Sequence, residues 1–471
     1  MSSSSERSAS LLKNALVFAI GTFGSKVLVL LVIPLCTHFI AAEGMGMYDL
    51  LNTLNQLLQP IAILALSESL FRWLLEQGSD RRVVYSTWLT LFVVFLLIFS
   101  LFYFAVTYFF PFNDTGLLYL LVVIGCIYQG VQYGTRGLHA NKLFAIQGLL
   151  YAITYCVCSY LFVVHFRLGY QGLLYAIFIA ALVAVSLMLW IQPELRQYSL
   201  KSFDKSLAKE LLRYSVFLLP NQLSWWALSM LNRFFIVGFL GYAANGIYSV
   251  AMKFPTALSM VSQVFLPAWQ EQAVELYGTP GADEYFSLIF KRYARLLFSL
   301  LFPGVPATVM FVRLAMDVSY GQASELVAIL YLGACFSALS NFMGVLYLCA
   351  RDTRGAASTT IWGALANAIL SIVLIPTLGL VGSAISSALG NMMIWLIRIV
   401  QTKKYCALQC SYVEIVVLAM TVVILSILAN ACTSLIGIAV LTVIGAFAAL
   451  ALNHRSIAWV VSMVKGRVAR R

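Results

Sequence analysis

Blocks of about 20 consecutive apolar residues, divided by short polar segments, recur along the whole of this 471-residue chain. A helix of that length crosses the roughly 30 Å hydrocarbon core of a bilayer, and only helices or closed β-barrels satisfy their own backbone there. A barrel would show segments of about ten residues alternating in polarity, whereas these blocks are solidly apolar. The pattern predicts an all-α integral membrane fold with fourteen spans, from residues 12–40 to residues 434–452. Only 10% of the residues are charged and 62% are hydrophobic. A water-soluble domain carries roughly a quarter charged, so that class is excluded.

Loop charges test the count independently. With the N-terminus inside, most of the 30 Lys and Arg, Arg398 among them, fall in loops predicted to be cytoplasmic, as the positive-inside rule requires. Outer loops keep only Arg167 and Arg313. Both termini are therefore expected in the cytoplasm. The formal net charge of +12 reads as attraction to anionic membrane lipids, with no nucleic-acid partner. The opening MSSSSERSAS has no basic run before a short apolar core, so the first span is expected to stay uncleaved. Nine scattered cysteines and four histidines suggest neither a disulfide framework nor a metal site, Cys406 and Cys410 being the only loop pair. No cofactor is expected.

An internal repeat organises the chain. Leu11, Leu12, Lys13 and Gly46, Met47, Tyr48 return at a constant offset of 200 residues as Leu211, Leu212, Arg213 and Gly246, Ile247, Tyr248. Leu168, Gly169 and Gly172 return at an offset of 210 as Leu378, Gly379 and Gly382, each time in a short outer hairpin. Six spans separate the copies, so both halves run in the same sense through the membrane, the parallel-repeat plan of some transporters. The expected division is an N-terminal lobe over 1–195, a second lobe over 196–404, and two additional helices with a basic tail over 405–471.

Charges inside spans are costly and mark function. Lys26 lies mid-way through the first span, Arg233 late in the seventh and Lys253 early in the eighth, with no acid within four residues of any of them. Directed into a shared cavity, they would pair with an anionic substrate. Ion pairs with Asp49 or Glu68, or snorkelling of Arg233 and Lys253, are the competing structural explanation. The second span adds Asn52, Asn55, Gln56 and Gln59, and the seventh adds Asn221, Gln222, Trp225 and Trp226. Amides and indoles suit the hydroxyls and faces of sugars, though they also serve as glue between membrane helices. Gln129, Gln132 and Arg136 on span four, with Arg72 ending span two, would greet a substrate at the cytoplasmic mouth. Asp49, Glu68 and Asp317 are candidates for proton or sodium coupling. No Walker loop, carboxylate pair or large outer loop is present to support catalysis, so an enzyme is not expected.

The motifs resemble those of a known family. Gly21, Gly24, Ser25 and Lys26, then Pro34, then Glu43-Gly44-Met45-Gly46-Met47-Tyr48-Asp49-Leu50 are similar to the N-terminal signature of polysaccharide-biosynthesis flippases. Asn232-Arg233-Phe234-Phe235-Ile236, Leu240-Gly241 and Gly246-Ile247-Tyr248-Ser249-Val250-Ala251 with Lys253 resemble its second half, where Asn232 stands in place of the usual acid. The resemblance implies the multidrug and oligosaccharidyl-lipid exporter fold, two six-helix lobes around an alternately opening cavity. It implies as cargo a polyprenyl pyrophosphate carrying an oligosaccharide repeat unit for O-antigen, capsule or exopolysaccharide, moved across a bacterial or archaeal cytoplasmic membrane. In relatives with fourteen spans the last two helices help form a groove for the lipid tail. A polysaccharide polymerase and chain-length machinery are the expected partners. A peptidoglycan lipid II-type flippase and a multidrug exporter on the same fold are the rival functions, and a membrane polysaccharide polymerase is a third.

Overall fold

The apolar blocks fold as helices. The computed structural model describes residues 32, 34–76, 80–350, 352–409 and 411–468, and every regular element among them is helical. After a helical segment over 34–39 come α1 (Ala42–Ala62), α2 (Leu66–Leu75), α3 (Arg81–Phe109), α4 (Thr115–Gly137), α5 (Asn141–Ser159) and α6 (Gly169–Ile191). Then follow α7 (Lys205–Ala251), α8 (Lys253–Leu276), α9 (Ala282–Ala315), α10 (Ala323–Cys349), α11 (Thr353–Thr402), α12 (Tyr412–Ala431) and α13 (Leu435–Val468). Among the described residues ten helical stretches are long and apolar enough to cross a membrane, or eleven if α1 and α2, bent by 57° to one another, form one broken span. The chain is a multi-pass membrane protein. Most of the first expected span, including Lys26, lies outside the described residues.

With 50 residues, α11 is more than twice the length a bilayer needs. It consists of two antiparallel arms. Gly379 breaks it at φ 62°, and the Ser371 and Ser386 hydroxyls lie 2.9 Å apart, where an unbroken helix would separate them by about 22 Å. These arms correspond to the spans expected at 357–377 and 379–400. Gly169 opens α6 at φ 58° in the same way. The partner glycines of the repeat also agree. A Cβ on Gly172 would stand 3.2 Å from the Phe162 carbonyl oxygen, and one on Gly382 would stand 2.0 Å from that of Leu374.

The other echo is reproduced in burial. Residues 42–49 and 242–249 follow one order position by position, from exposed Glu43 and Ala243 to buried Tyr48 and Tyr248 and buried Asp49 and Ser249. Gly44 lies against Tyr170, and its counterpart Ala244 packs on the cluster that holds Leu380, the counterpart of Tyr170. The sequence repeat is therefore a repeat of packing.

The described residues divide into two compact units between Leu231 and Asn232, within α7. In the first, the α1–α2 break places Leu64 and Ala65 in the left-handed region at φ 48° and 56°, where side chains cost roughly 1–2 kcal/mol each. The strained turn is fastened from α3, since Trp88 Nε1 donates to the Leu66 carbonyl at 3.0 Å. The second unit is built on stacked aromatics. Trp269 lies 4.2 Å from Phe342 between ring centroids, and Phe265 lies 4.1 Å from Tyr293. α12 and α13 hold to α9 through Arg295 Nη2 at 2.5 Å from Glu414 and Asn453 Nδ2 donating to Ser299 at 2.6 Å. Their outer faces, with Val413, Ile436 and Phe447 exposed, suit contact with acyl chains.

One arginine departs from the sequence expectation. Arg398 was expected in a cytoplasmic loop, but it lies in the second arm of α11 and is buried. Its guanidinium donates to Thr359 Oγ1 at 3.0 Å, Thr360 Oγ1 at 3.1 Å and the Ser340 carbonyl at 2.7 Å. A planar guanidinium that meets these neutral acceptors ties α10 to both arms.

The connection between α10 and α11 carries an acid-sensitive clamp. Asp352 accepts from the Tyr405 hydroxyl and, at 2.9 Å, from the Gly355 N–H, with Lys404 Nζ at 3.4 Å. The Tyr405 bond first, then the Gly355 N–H, hold its carboxyl below the ordinary carboxylate range. A pKa depressed on folding stabilises above the unfolded value, about 3.9, and that contribution disappears as pH falls through the folded value. The melting temperature of the wild type should therefore exceed that of Asp352→Asn at neutral pH, and the gap should close below about pH 4.

Candidate functional site

The first unit contains a cleft of about 610 Å³ lined by Glu68, Phe71, Arg72, Leu75, Glu76, Tyr133 and Tyr214. Three elements build it. The bend after α1 turns α2 so that Glu68, in its first turn, and Arg72, in its last, face the same space. α4 supplies Tyr133, and the early part of α7 supplies Tyr214. The Arg72 guanidinium is exposed and lies 4.8 Å from the Tyr214 ring and 5.3 Å from that of Trp73. Such contacts hold the planar cation while its edge donors stay available. Arg136 sits beside the cleft between Phe71, at 4.8 Å, and Phe144, at 5.3 Å.

Two sequence candidates proposed for different roles come together here. Gln222 Nε2 donates to Glu68 Oε1 at 2.7 Å, joining a cavity candidate to a coupling candidate across 154 residues. One turn farther along α7, Trp226 Nε1 donates to the Thr53 carbonyl at 3.1 Å. The early part of α7 is thereby fixed to both sides of the α1–α2 bend. The side chains of Asn221 and Trp225, and all of Lys26, lie outside the described residues.

The remaining candidates separate. The amides of α1 share one face by their spacing and differ in burial. Asn55 is buried and accepts from Gln59 at 3.0 Å, Asn52 is half-buried and Gln56 is exposed. Gln132 leaves the cleft of its neighbour Tyr133 and approaches Tyr128. Asp49 is buried near Tyr48. In the second unit Arg233 is buried, and Lys253 is half-buried where α8 begins. Asp317 caps a turn beyond α9, accepting from the Ser319 N–H at 2.9 Å and hydroxyl at 2.7 Å. Asn232 joins a neutral polar knot. Ser371 donates toward its side-chain oxygen at 3.2 Å and also reaches Asn367 and Ser386. Among the described residues no group of His, Cys, Asp and Glu could hold a metal ion.

Helical, multi-pass and internally repeated, the chain has the fold of the multidrug, oligosaccharidyl-lipid and polysaccharide exporter superfamily. It is similar to the lipid II flippase MurJ in an inward closed conformation, with a TM-score of 0.69 and 13% identity over 95% of this chain and all of that one. An outward-facing multidrug resistance MATE family transporter matches at a TM-score of 0.56 and 15% identity, over 87% of this chain and 96% of that one. A superfamily transporter from Pyrococcus furiosus, described as having a binding pocket of reverse polarity, matches at 0.54 and 15%, over 86% and 95%. No curated protein sequence matches the chain. The chain belongs to the polysaccharide biosynthesis protein family, whose model matches residues 11–269, more than half its length.

Proposed function

We propose that the protein flips polyprenyl-pyrophosphate-linked oligosaccharide repeat units from the cytoplasmic to the outer leaflet, by alternating access of two lobes spanning 1–195 and 196–404. It is a transporter of the inner membrane and not an enzyme. The observation that carries this reading is the cleft bearing Arg72 between aromatic walls, in a chain of the polysaccharide biosynthesis family. A guanidinium donates in pairs to phosphate oxygens, and a head group that keeps such partners avoids much of the cost of entering hydrocarbon. The lipid tail stays in the bilayer, with α12 and α13 offering it apolar faces.

Glu68 gives the cycle a means of coupling. A carboxylate beside an incoming pyrophosphate repels it, and a coupling cation, proton or sodium, taken up at Glu68 offsets that repulsion. A bound ligand drives a conformational change only through unequal affinity for the two states, and the Glu68–Gln222 bond is a contact one state can lose. Lys26, Arg233 and Lys253 complete the basic path in this proposal.

The test is flipping of a fluorescent polyprenyl-pyrophosphate oligosaccharide in proteoliposomes, comparing wild type with Lys26→Ala and Arg233→Ala after all three are shown to fold. Flipping by the wild type, lost in both variants, supports the reading. A wild type that moves only lipid II assigns the protein to peptidoglycan precursors. One that moves neither lipid but exports a soluble cationic dye is a drug exporter.

A further inference from the structure

We propose that the first unit carries a hydroxyl ladder, a row of phenols and amides along α4 and α5 that binds the sugar of a glycosylated lipid carrier; this rests on the flippase function proposed above. On α5, Gln147, Tyr151 and Tyr155 recur every four residues and share a face. On α4, Tyr128 and Gln132 do the same. The two faces meet, for the rings of Tyr128 and Tyr151 are 5.2 Å apart between centroids and those of Tyr151 and Tyr155 are 6.4 Å apart. Gln132 Nε2 approaches the Tyr128 hydroxyl at 3.5 Å. At the far end the Tyr155 hydroxyl lies 3.2 Å from that of Tyr48 on α1.

Gln147 shows that packing alone does not account for the row. It is fully buried, and neither its amide nitrogen nor its amide oxygen has a hydrogen-bond partner among the described residues. A buried amide without partners costs more than an ordinary hydrogen bond returns, and a leucine would fill the same space without that cost. The helix bundle gains nothing from a glutamine here, whereas a ligand rich in hydroxyls gains both a donor and an acceptor.

The chemistry of the row selects the ligand. Its members are neutral, combining hydroxyls and amides with flat aromatic faces, which suits a sugar and offers no charge to phosphate. Arg72 lies in the cleft beside Tyr214, and Arg136, one turn beyond Gln132 on α4 and packed between Phe71 and Phe144, closes the row at its end nearest the cleft. Successive rungs on α5 are about 6 Å apart along the axis. The row starts at the short connection between α4 and α5 and extends away from it, with half-buried Gln132, Tyr128 and Tyr151 as its accessible members. A sugar leaving one rung meets the next before it is stripped of partners.

The experiment measures binding of two lipids to the purified full-length protein, polyprenyl pyrophosphate with an oligosaccharide and the same carrier without one. The wild type should bind the glycosylated carrier more tightly. Tyr151→Phe, which keeps the ring, and Gln147→Leu should each weaken it about tenfold, the worth of one hydrogen bond, and leave the bare carrier unaffected. Gln147→Leu should also melt no lower than wild type, as a residue kept only for packing would not. Equal weakening of both lipids, no weakening, or a wild type indifferent to the sugar overturns the ladder while the flippase reading stands. A wild type that binds neither lipid overturns both.

Discussion

Arg72→Gln is expected to slow flipping of a pyrophosphate-linked carrier by tenfold or more, whereas Arg72→Lys keeps part of the rate. Hydrogen bonds to charged groups contribute about 1.5–3 kcal/mol, so losing one phosphate contact corresponds to roughly ten- to hundredfold. Lysine restores the charge but not the paired donors or the flat surface that Tyr214 and Trp73 hold. The readout is the initial rate in proteoliposomes at matched protein levels, repeated at two salt concentrations. Arg72 is exposed, so its loss should leave the melting temperature almost unchanged. Unaltered flipping in Arg72→Gln would remove the cleft from the substrate path.

Gly382→Val is expected to abolish accumulation of folded protein. A Cβ at this position would lie 2.0 Å from the Leu374 carbonyl oxygen and 2.5 Å from its carbon, and backbone cannot swing aside as a flexible side chain does. The arms of α11 would have to part, breaking the Ser371–Ser386 contact and the bonds from Arg398 to Thr359 and Thr360. Losses of this kind exceed about 4 kcal/mol, a large part of the stability of a typical domain. Size-exclusion chromatography of a fluorescent fusion would show the folded peak missing for Gly382→Val and largely retained for Leu378→Val, at a neighbouring exposed residue. A normal peak for Gly382→Val would mean that the hairpin is looser than its contacts imply.

The spans were legible because hydrocarbon imposes a single requirement, about 20 apolar residues, and the chain meets it in uninterrupted blocks. The repeat was legible for another reason. Glycines that turn a hairpin or admit a neighbouring backbone cannot be exchanged freely, so Gly169, Gly172, Gly379 and Gly382 stayed recognisable in both copies. The site was less so. Glu68 and Gln222 are far apart in sequence, and no local pattern announces that the bend after α1 brings them together. Asn52, Asn55 and Gln56 follow helical spacing, and that spacing does not say which of them neighbouring helices cover, Asn55 being buried and Gln56 exposed. Arg398 was misplaced because proximity to a span end reads as a snorkelling cation, while the acceptors that bury it come from other helices. The tyrosines of α4 and α5 passed as ordinary apolar content, since a phenol counts as hydrophobic until its hydroxyl is seen to meet another.

A repeat of packing is also a comparison the chain makes within itself. Where two matched positions share burial and differ in chemistry, the difference belongs to what each half has specialised to do. Asp49 and Ser249 are such a pair, both enclosed and both one residue beyond a buried tyrosine. One half keeps an acid at a place where the other keeps an alcohol. Because both halves run in the same sense through the membrane, exchanging them would leave inside and outside distinct, so an acid kept in one half only is an asymmetry between the lobes, a division of labour between two otherwise similar walls.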